Sequence, residues 1–231
     1  MPDTPENDVE RSDDDLVPAL GWSPLTRLYD PVVALTTREG YFKRQLLRQA
    51  SIPEGASVLD LGCGTGTLAL QLARSYPTST VTGIDGDDTV LRRARRKASE
   101  ADLEIRFDRG LAPALPYPPD SFDRVVSTLF FHHLARSQKT ETASAVLRVL
   151  RPGGQFHVAD WGKPTSRLMR LLFYSVQLLD GFETTTDNAD GLLPEIIAAA
   201  GFRDVRINRE IGTLCGTLTL YSAVKPLQGT R

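Results

Sequence analysis

The run Val58-Leu59-Asp60-Leu61-Gly62-Cys63-Gly64-Thr65-Gly66 constrains this chain more than any other part of it. An apolar segment carrying one acid passes into a segment with glycine at every second position. Val58, Leu59 and Leu61 predict a buried strand. Gly62, Gly64 and Gly66 predict a turn, because glycine reaches positive φ without penalty and puts no Cβ between the backbone and a ligand. Leu68, Leu70, Leu72 and Ala73 predict a helix over 67–74. Strand, glycine turn and helix together aim backbone N–H groups and a helix N-terminus at a ligand. The spacing is G-x-G-x-G, with Thr67 standing where the dinucleotide fingerprint G-x-G-x-x-G would place its last glycine. No Lys-Ser/Thr pair follows, which excludes a P-loop. A second apolar run over 80–84 ends in Asp85, an acid placed to accept both hydroxyls of a ribose. A nucleoside fits this pattern better than a pyrophosphate.

The chain has 231 residues, 41% hydrophobic and 24% charged, enough for one sizeable α/β domain with its own core. A net charge of −2 argues against affinity built on phosphate contacts, so no nucleic-acid partner is expected. The two cysteines, Cys63 and Cys215, form neither a disulfide framework nor a metal spacing. No stretch of about 18 apolar residues predicts a membrane span, and no basic-then-apolar leader is read, so the cytoplasm is the expected compartment. Residues 1–17 hold seven acids and one arginine and read as a disordered acidic tail. The remainder, 18–231, reads as one domain with N-terminal helices over 18–50. There Leu25, Leu28 and Tyr29 share a helical face, Asp30-Pro31 breaks it, and Tyr41, Phe42, Leu46 and Leu47 continue.

Further along, Asp87-Asp88 opens a helix over 89–100 whose Arg92, Arg93, Arg95, Arg96 and Lys97 read as a solvated basic face. Strands are expected over 105–107, 123–128 and 155–159, with His157 structural. Phe130-Phe131-His132-His133-Leu134 follows the second of these, at the carboxyl end of a central strand, where open α/β sheets bind ligands. Ser137 or Thr140 is the expected cap of the next helix, which reaches Arg148. Residues 166–182 carry more apolar side chains than one buried stripe needs. They predict a helical lid insertion over 163–190, or a face for a second copy or for weak contact with a membrane. A helix over 187–201 and strands over 205–207 and 214–224, turning at 209–212, complete the chain.

Four segments, in this order, resemble the motifs of the class I S-adenosylmethionine (SAM) methyltransferases. They are Val58 to Gly66; Gly83-Ile84-Asp85; Leu115-Pro116-Tyr117-Pro118-Pro119-Asp120-Ser121-Phe122-Asp123; and Leu150-Arg151-Pro152-Gly153-Gly154. The nearest branch is the small-molecule one that includes quinone-biosynthesis-type enzymes. The resemblance implies a Rossmann-like α/β fold, with a seven-stranded, mostly parallel sheet, an antiparallel last strand and helices on both faces. It implies SAM as cofactor, S-adenosylhomocysteine as product and a small, largely apolar acceptor. It assigns Gly62, Cys63, Gly64 and Gly66 to the methionine and ribose, Asp60 to the amino group and Asp85 to the ribose hydroxyls. Gly86, Leu111, Ala112 and Ser127 fall around adenine and the thioether. Two of these depart from the family pattern, since an acid usually stands at Leu111 and a bulky apolar residue at Gly86. Adenine's amino group would then be met by Asp108 or by backbone. Phe131-His132 resembles the Leu-His pair of O-methyltransferases, which makes His132 the candidate base and His133 its neighbour in catalysis. No metal is expected, because adjacent histidines on a loop do not readily aim at one ion. Two other readings stay open: a SAM-binding regulator or scaffold, and an RNA or protein methyltransferase. The latter lacks an Asn-Pro-Pro-Tyr-like motif, since Ser127-Thr128-Leu129-Phe130 stands there. An NAD-dependent oxidoreductase is disfavoured by the glycine spacing.

Overall fold

A computed structural model describes residues 38–227. The expected acidic tail over 1–17 and the helical residues around Leu25, Tyr29 and Asp30-Pro31 lie outside that range. The first described helix, α1 (Glu39–Ala50), buries Phe42, Leu46, Leu47 and Ala50 and so lays its apolar stripe on the sheet. Then follow β1 (Ser57–Leu61), α2 (Thr67–Ser75), β2 (Thr80–Asp85), α3 (Asp88–Glu100) and β3 (Arg106–Arg109). The second half comprises β4 (Phe122–Thr128), α4 (Arg136–Val149), β5 (Leu150–Trp161), α5 (Arg167–Asp180), α6 (Phe182–Asp190), α7 (Leu193–Ala199), β6 (Arg203–Thr213) and β7 (Gly216–Val224). Asp87 caps α3 by accepting the Thr89 N–H, as an acid before a first helical turn should.

All seven strands form one sheet in the order β3-β2-β1-β4-β5-β7-β6. β1 pairs in parallel with β2 and β4, and β4 in parallel with β5. β7 runs antiparallel to both of its neighbours, so it alone opposes the other six. The order of strand addition reverses between β1 and β4. That reversal opens a crevice at the strands' carboxyl ends, the place where open α/β sheets take ligands. Alternation along β1 sends Val58 into the core under α1, α2 and α3 and Leu59 and Leu61 into the core under α4 and α7.

Several boundaries differ from the sequence expectation. The single helix expected over 187–201 is two, because Gly191 takes φ 77° and closes α6 by donating to the Asn188 carbonyl, while Pro194 fixes the first turn of α7. The helix over 166–182 ends at Asp180, where Gly181 takes φ 91°. The last hairpin turns after Thr213 rather than at 209–212. Thr213 Oγ1 accepts the Cys215 N–H and donates to the Gly216 carbonyl, which fixes the tight connection there. Neither Ser137 nor Thr140 caps α4; Gln138 reaches back to the Ala135 N–H instead. The apolar excess of α5 is real: Leu168, Leu171, Leu178 and Leu179 are all exposed, Leu178 at 76%. Among the described residues no helix is long and apolar enough to cross a membrane.

Candidate active site

The glycine turn follows β1 directly. Gly62, Gly64 and Gly66 all take positive φ, at 67°, 52° and 75°. The three do different things. A Cβ at Gly64 would meet nothing within 4 Å, so this backbone faces open space. At Gly62 it would run into the Phe130 ring at 2.4 Å, and at Gly66 into Ala94 of α3 at 2.9 Å. Gly64 therefore exposes backbone, while Gly62 and Gly66 permit close packing. Cys63 donates its N–H to the Ile84 carbonyl, and its buried thiol is pushed up by burial, so it is a small packing residue.

Beneath the turn lies Asp60. It is 1% exposed, and neither carboxylate oxygen has a hydrogen-bond partner. Burial, offset in part by the Lys43 ammonium, lifts this carboxyl to about 7. Lys43 comes from α1, is itself buried and pairs with Glu39 one turn earlier. The Ala69 N–H of α2 also lowers the Asp60 carboxyl, but neither oxygen is met at good hydrogen-bond geometry; a buried acid so placed is costly, and a cationic N–H donor brought by a ligand would answer it.

Asp85 ends β2 with one oxygen on the glycine turn and the other on the cap of α3: Oδ2 accepts the Gly64 N–H at 2.8 Å and Oδ1 the Asp87 N–H at 3.0 Å. Each oxygen keeps a second lone pair. Burial raises its carboxyl above the ordinary range. Gly86 is half-buried and its carbonyl accepts from Arg109. Leu111 is 53% exposed, and Ala112 is buried at the start of a short 3-10 turn. Asp108 is already committed to the Tyr117 hydroxyl at 2.9 Å and to Arg106.

The histidines lie at the carboxyl end of β4. Ser127 lies within β4, as the expected strand over 123–128 implies, and is fully buried with its hydroxyl donating to the Leu61 carbonyl. Phe131 is a core residue. His132 Nδ1 lies 2.7 Å from Asp160 Oδ1, and its Nε2 lies 3.5 Å from Asp180 Oδ2. Asp160, at the end of β5, is fully buried and fully used. Its Oδ2 accepts the Phe130 and Phe131 N–H groups, and its Oδ1 accepts the Trp161 N–H. Burial would lower the His132 imidazole, but Asp160 and then Asp180 outweigh it and raise it to about 9. Burial and the neighbouring His132 charge lower His133 to about 4. The two rings are 4.0 Å apart between centroids. His157, by contrast, is buried between Gln49 and Gln155 and lowered to about 3 by burial, which makes it structural. Asp180 was not legible as a site residue. Nor was Asp160 as the partner of His132, although an acid ending the strand parallel and next to the histidine-bearing one is the signal that could have found it.

A methyltransferase domain family model matches residues 58–154. The ubiquinone/menaquinone biosynthesis C-methyltransferase UbiE of Geobacter sulfurreducens is 28% identical over 81% of this chain and 79% of its own length. An uncharacterized methyltransferase of Synechocystis is 34% identical over 73% of this chain and 76% of its own. Other curated relatives are spanned over about half to three fifths of their own length. Among solved structures, a SAM-dependent methyltransferase of Methanosarcina mazei superposes with a TM-score of 0.64 at 22% identity, over 79% of this chain and 98% of that one.

Proposed function

The chain belongs to the class I SAM-dependent methyltransferases, and from that premise we propose that it methylates a small, largely apolar, quinol-like acceptor in the cytoplasm. The observation that carries the cofactor half of this reading is Asp60, a buried carboxylate with both oxygens unpartnered beneath an open glycine backbone. Those unpartnered acceptors fit SAM, whose amino-acid end carries an ammonium.

When bound, SAM supplies a methyl group on a sulfonium, electrophilic without further activation. What falls to the protein is position. Asp60 orients the ammonium. Gly64 gives the methionine and ribose a close approach to backbone, with Gly62, Cys63 and Gly66 shaping the turn. Asp85 accepts the ribose hydroxyls with the lone pairs that Gly64 and Asp87 leave free. Gly86, Leu111 and the Ala112 backbone flank adenine, since Asp108 is otherwise engaged. Ser127 pins β4 to β1 and so fixes the spacing between the turn and the histidines. His132 and His133 stand on the acceptor's side. Holding a nucleophile in line within about 3–3.5 Å of the methyl can supply about 7–11 kcal/mol of the barrier reduction. The quinol-like class rests on the names of the relatives and on the apolar surface near the site, where Trp161 packs edge-on to both His132 and Phe173. The exposed leucines of α5 are where a second copy or a membrane surface would meet the chain, and residues 163–190 are read as the lid over the acceptor.

The test is methyl transfer from labelled SAM to a panel of reduced naphthoquinones and benzoquinones, with total RNA and a bulk protein extract as competitors. Label in the quinol fraction supports the proposal. Salt-sensitive label in RNA, or label in protein only, overturns the acceptor class.

A further inference from the structure

The sequence argues that adjacent histidines do not converge on one ion; the structure brings them together. One ring nitrogen of His132, one of His133 and a carboxylate oxygen of Asp180 all lie within 4.8 Å of one another. Two of these residues come from the 3-10 turn after β4 and the third from the last residue of α5, 47 positions along the chain from His133. We propose that His132, His133 and Asp180 form a binding site for a divalent first-row transition-metal ion, zinc or a close relative, with Asp160 orienting His132 from behind.

Four features of the geometry support this. First, His132 is held for the task. Its Nδ1 is engaged by Asp160 at 2.7 Å, which turns Nε2 toward Asp180. A carboxylate behind a metal-binding histidine is the usual way to fix its tautomer and ring orientation. Asp160 is itself immobilised by three backbone N–H groups, so the ring has a rigid support. Second, the three ligand atoms, all within 4.8 Å of one another, stand near the spacing an ion needs. Ligand atoms around a tetrahedral zinc stand about 3.3 Å apart, given bonds of about 2.0–2.1 Å. His132 Nε2 and Asp180 Oδ2 are already 3.5 Å apart. Third, the charge is right. Two carboxylates meet here, one fully buried, and among the described residues no lysine or arginine pairs with either. The nearby cations are spent elsewhere: Lys139 binds the Thr184 carbonyl and Asp187, and Arg136 binds Asp187. His132 faces both carboxylates through its two ring nitrogens, and a divalent ion that displaces the Nε2 proton would neutralise the pair. Fourth, two nitrogens and one oxygen suit borderline ions. Magnesium and calcium prefer all-oxygen sets.

Three protein ligands leave an open position, as in catalytic rather than structural sites. His133 and Asp180 are only partly buried, so that position is within reach of solvent. In a methyltransferase an oxygen of the acceptor would take it. That use rests on the proposed function, whereas the binding itself does not.

The test is metal uptake by tag-free, chelator-stripped full-length protein. Cobalt(II) is titrated and followed by its visible d–d absorption, then displaced with zinc. The expected result is saturation at one ion per chain, with the bands of a four- or five-coordinate site that zinc abolishes. His133→Ala and Asp180→Asn should each weaken uptake at least 100-fold, and Asp160→Asn about 10–100-fold. Thermal melts show whether each variant folds. SAM affinity, measured by calorimetry on the same samples, reports separately on the methyltransferase reading. Absence of saturable uptake by the wild-type chain overturns the proposal. So does wild-type-like uptake by both folded variants, His133→Ala and Asp180→Asn.

Discussion

Asp60 is the residue at which sequence, energetics and function meet. The position was legible because it depends on local rules: an acid inside an apolar run, just before a glycine turn, must lie at a strand end. Its isolation was not legible, since whether α1 brings a donor to it is a matter of tertiary packing. Burial holds its carboxyl at about 7 in the folded chain, well above the ordinary carboxylate range. A raised acid contributes stability that is fully present below the unfolded value and is lost as pH rises toward 7. Ionised Asp60 should therefore cost the ligand-free protein on the order of a few kcal/mol at pH 8. Asp60→Asn should raise the melting temperature of the ligand-free protein at pH 8 by more than at pH 5. Equal shifts at the two pH values would mean the carboxyl is not perturbed. His132 and His133 were legible as a pair at a strand's carboxyl end. Asp180 was not, because no local pattern says which residue of a later helix returns to a given loop.

At the scale of elements, strands and glycine turns are legible in the apolar pattern and helix ends less so. The apolar spacing over 187–201 continues through Gly191, so periodicity sees one helix where backbone conformation makes two. The hairpin turns later than its apolar pattern implies because β6 changes register against β7 twice, between Arg203 and Arg206 and between Ile207 and Arg209, which lengthens it beyond its apolar core. The α4–α6 contact is polar and buried: Lys139 is 0% exposed and meets the Thr184 carbonyl and Asp187. Lys139→Met keeps the volume but strands the carbonyl and leaves Asp187 to Arg136 alone. It should cost about 1–3 kcal/mol in denaturant unfolding. A change below half a kcal/mol would show that this contact does not hold α6. The α5 leucines behave in the opposite way. Leu171→Gln and Leu178→Gln remove exposed apolar surface, and each should change monomer stability by no more than about 0.5 kcal/mol. A larger loss, measured by the same unfolding curves, would mean that this face is covered within the chain.

Across the whole molecule, the sheet order and the single opposing strand follow the expectation drawn from four motifs, and they bring the two halves of the site together. β1 and β2 supply Asp60, the glycine turn and Asp85; β4 and β5 supply the histidines and Asp160. The reversal of strand order between β1 and β4 is what places the glycine turn and Asp60 beside the histidines. The central claim is that the glycine turn and Asp60 together hold SAM, and calorimetric titration of the purified chain and of Asp60→Asn with SAM tests it most directly. The account predicts one SAM per wild-type chain, bound more tightly at pH 7 than at pH 5.5. In Asp60→Asn it predicts affinity at least about tenfold weaker at pH 7, as expected for a lost charge-assisted hydrogen bond. Absence of SAM binding by the wild-type protein, or equal affinity in the folded variant, would contradict it.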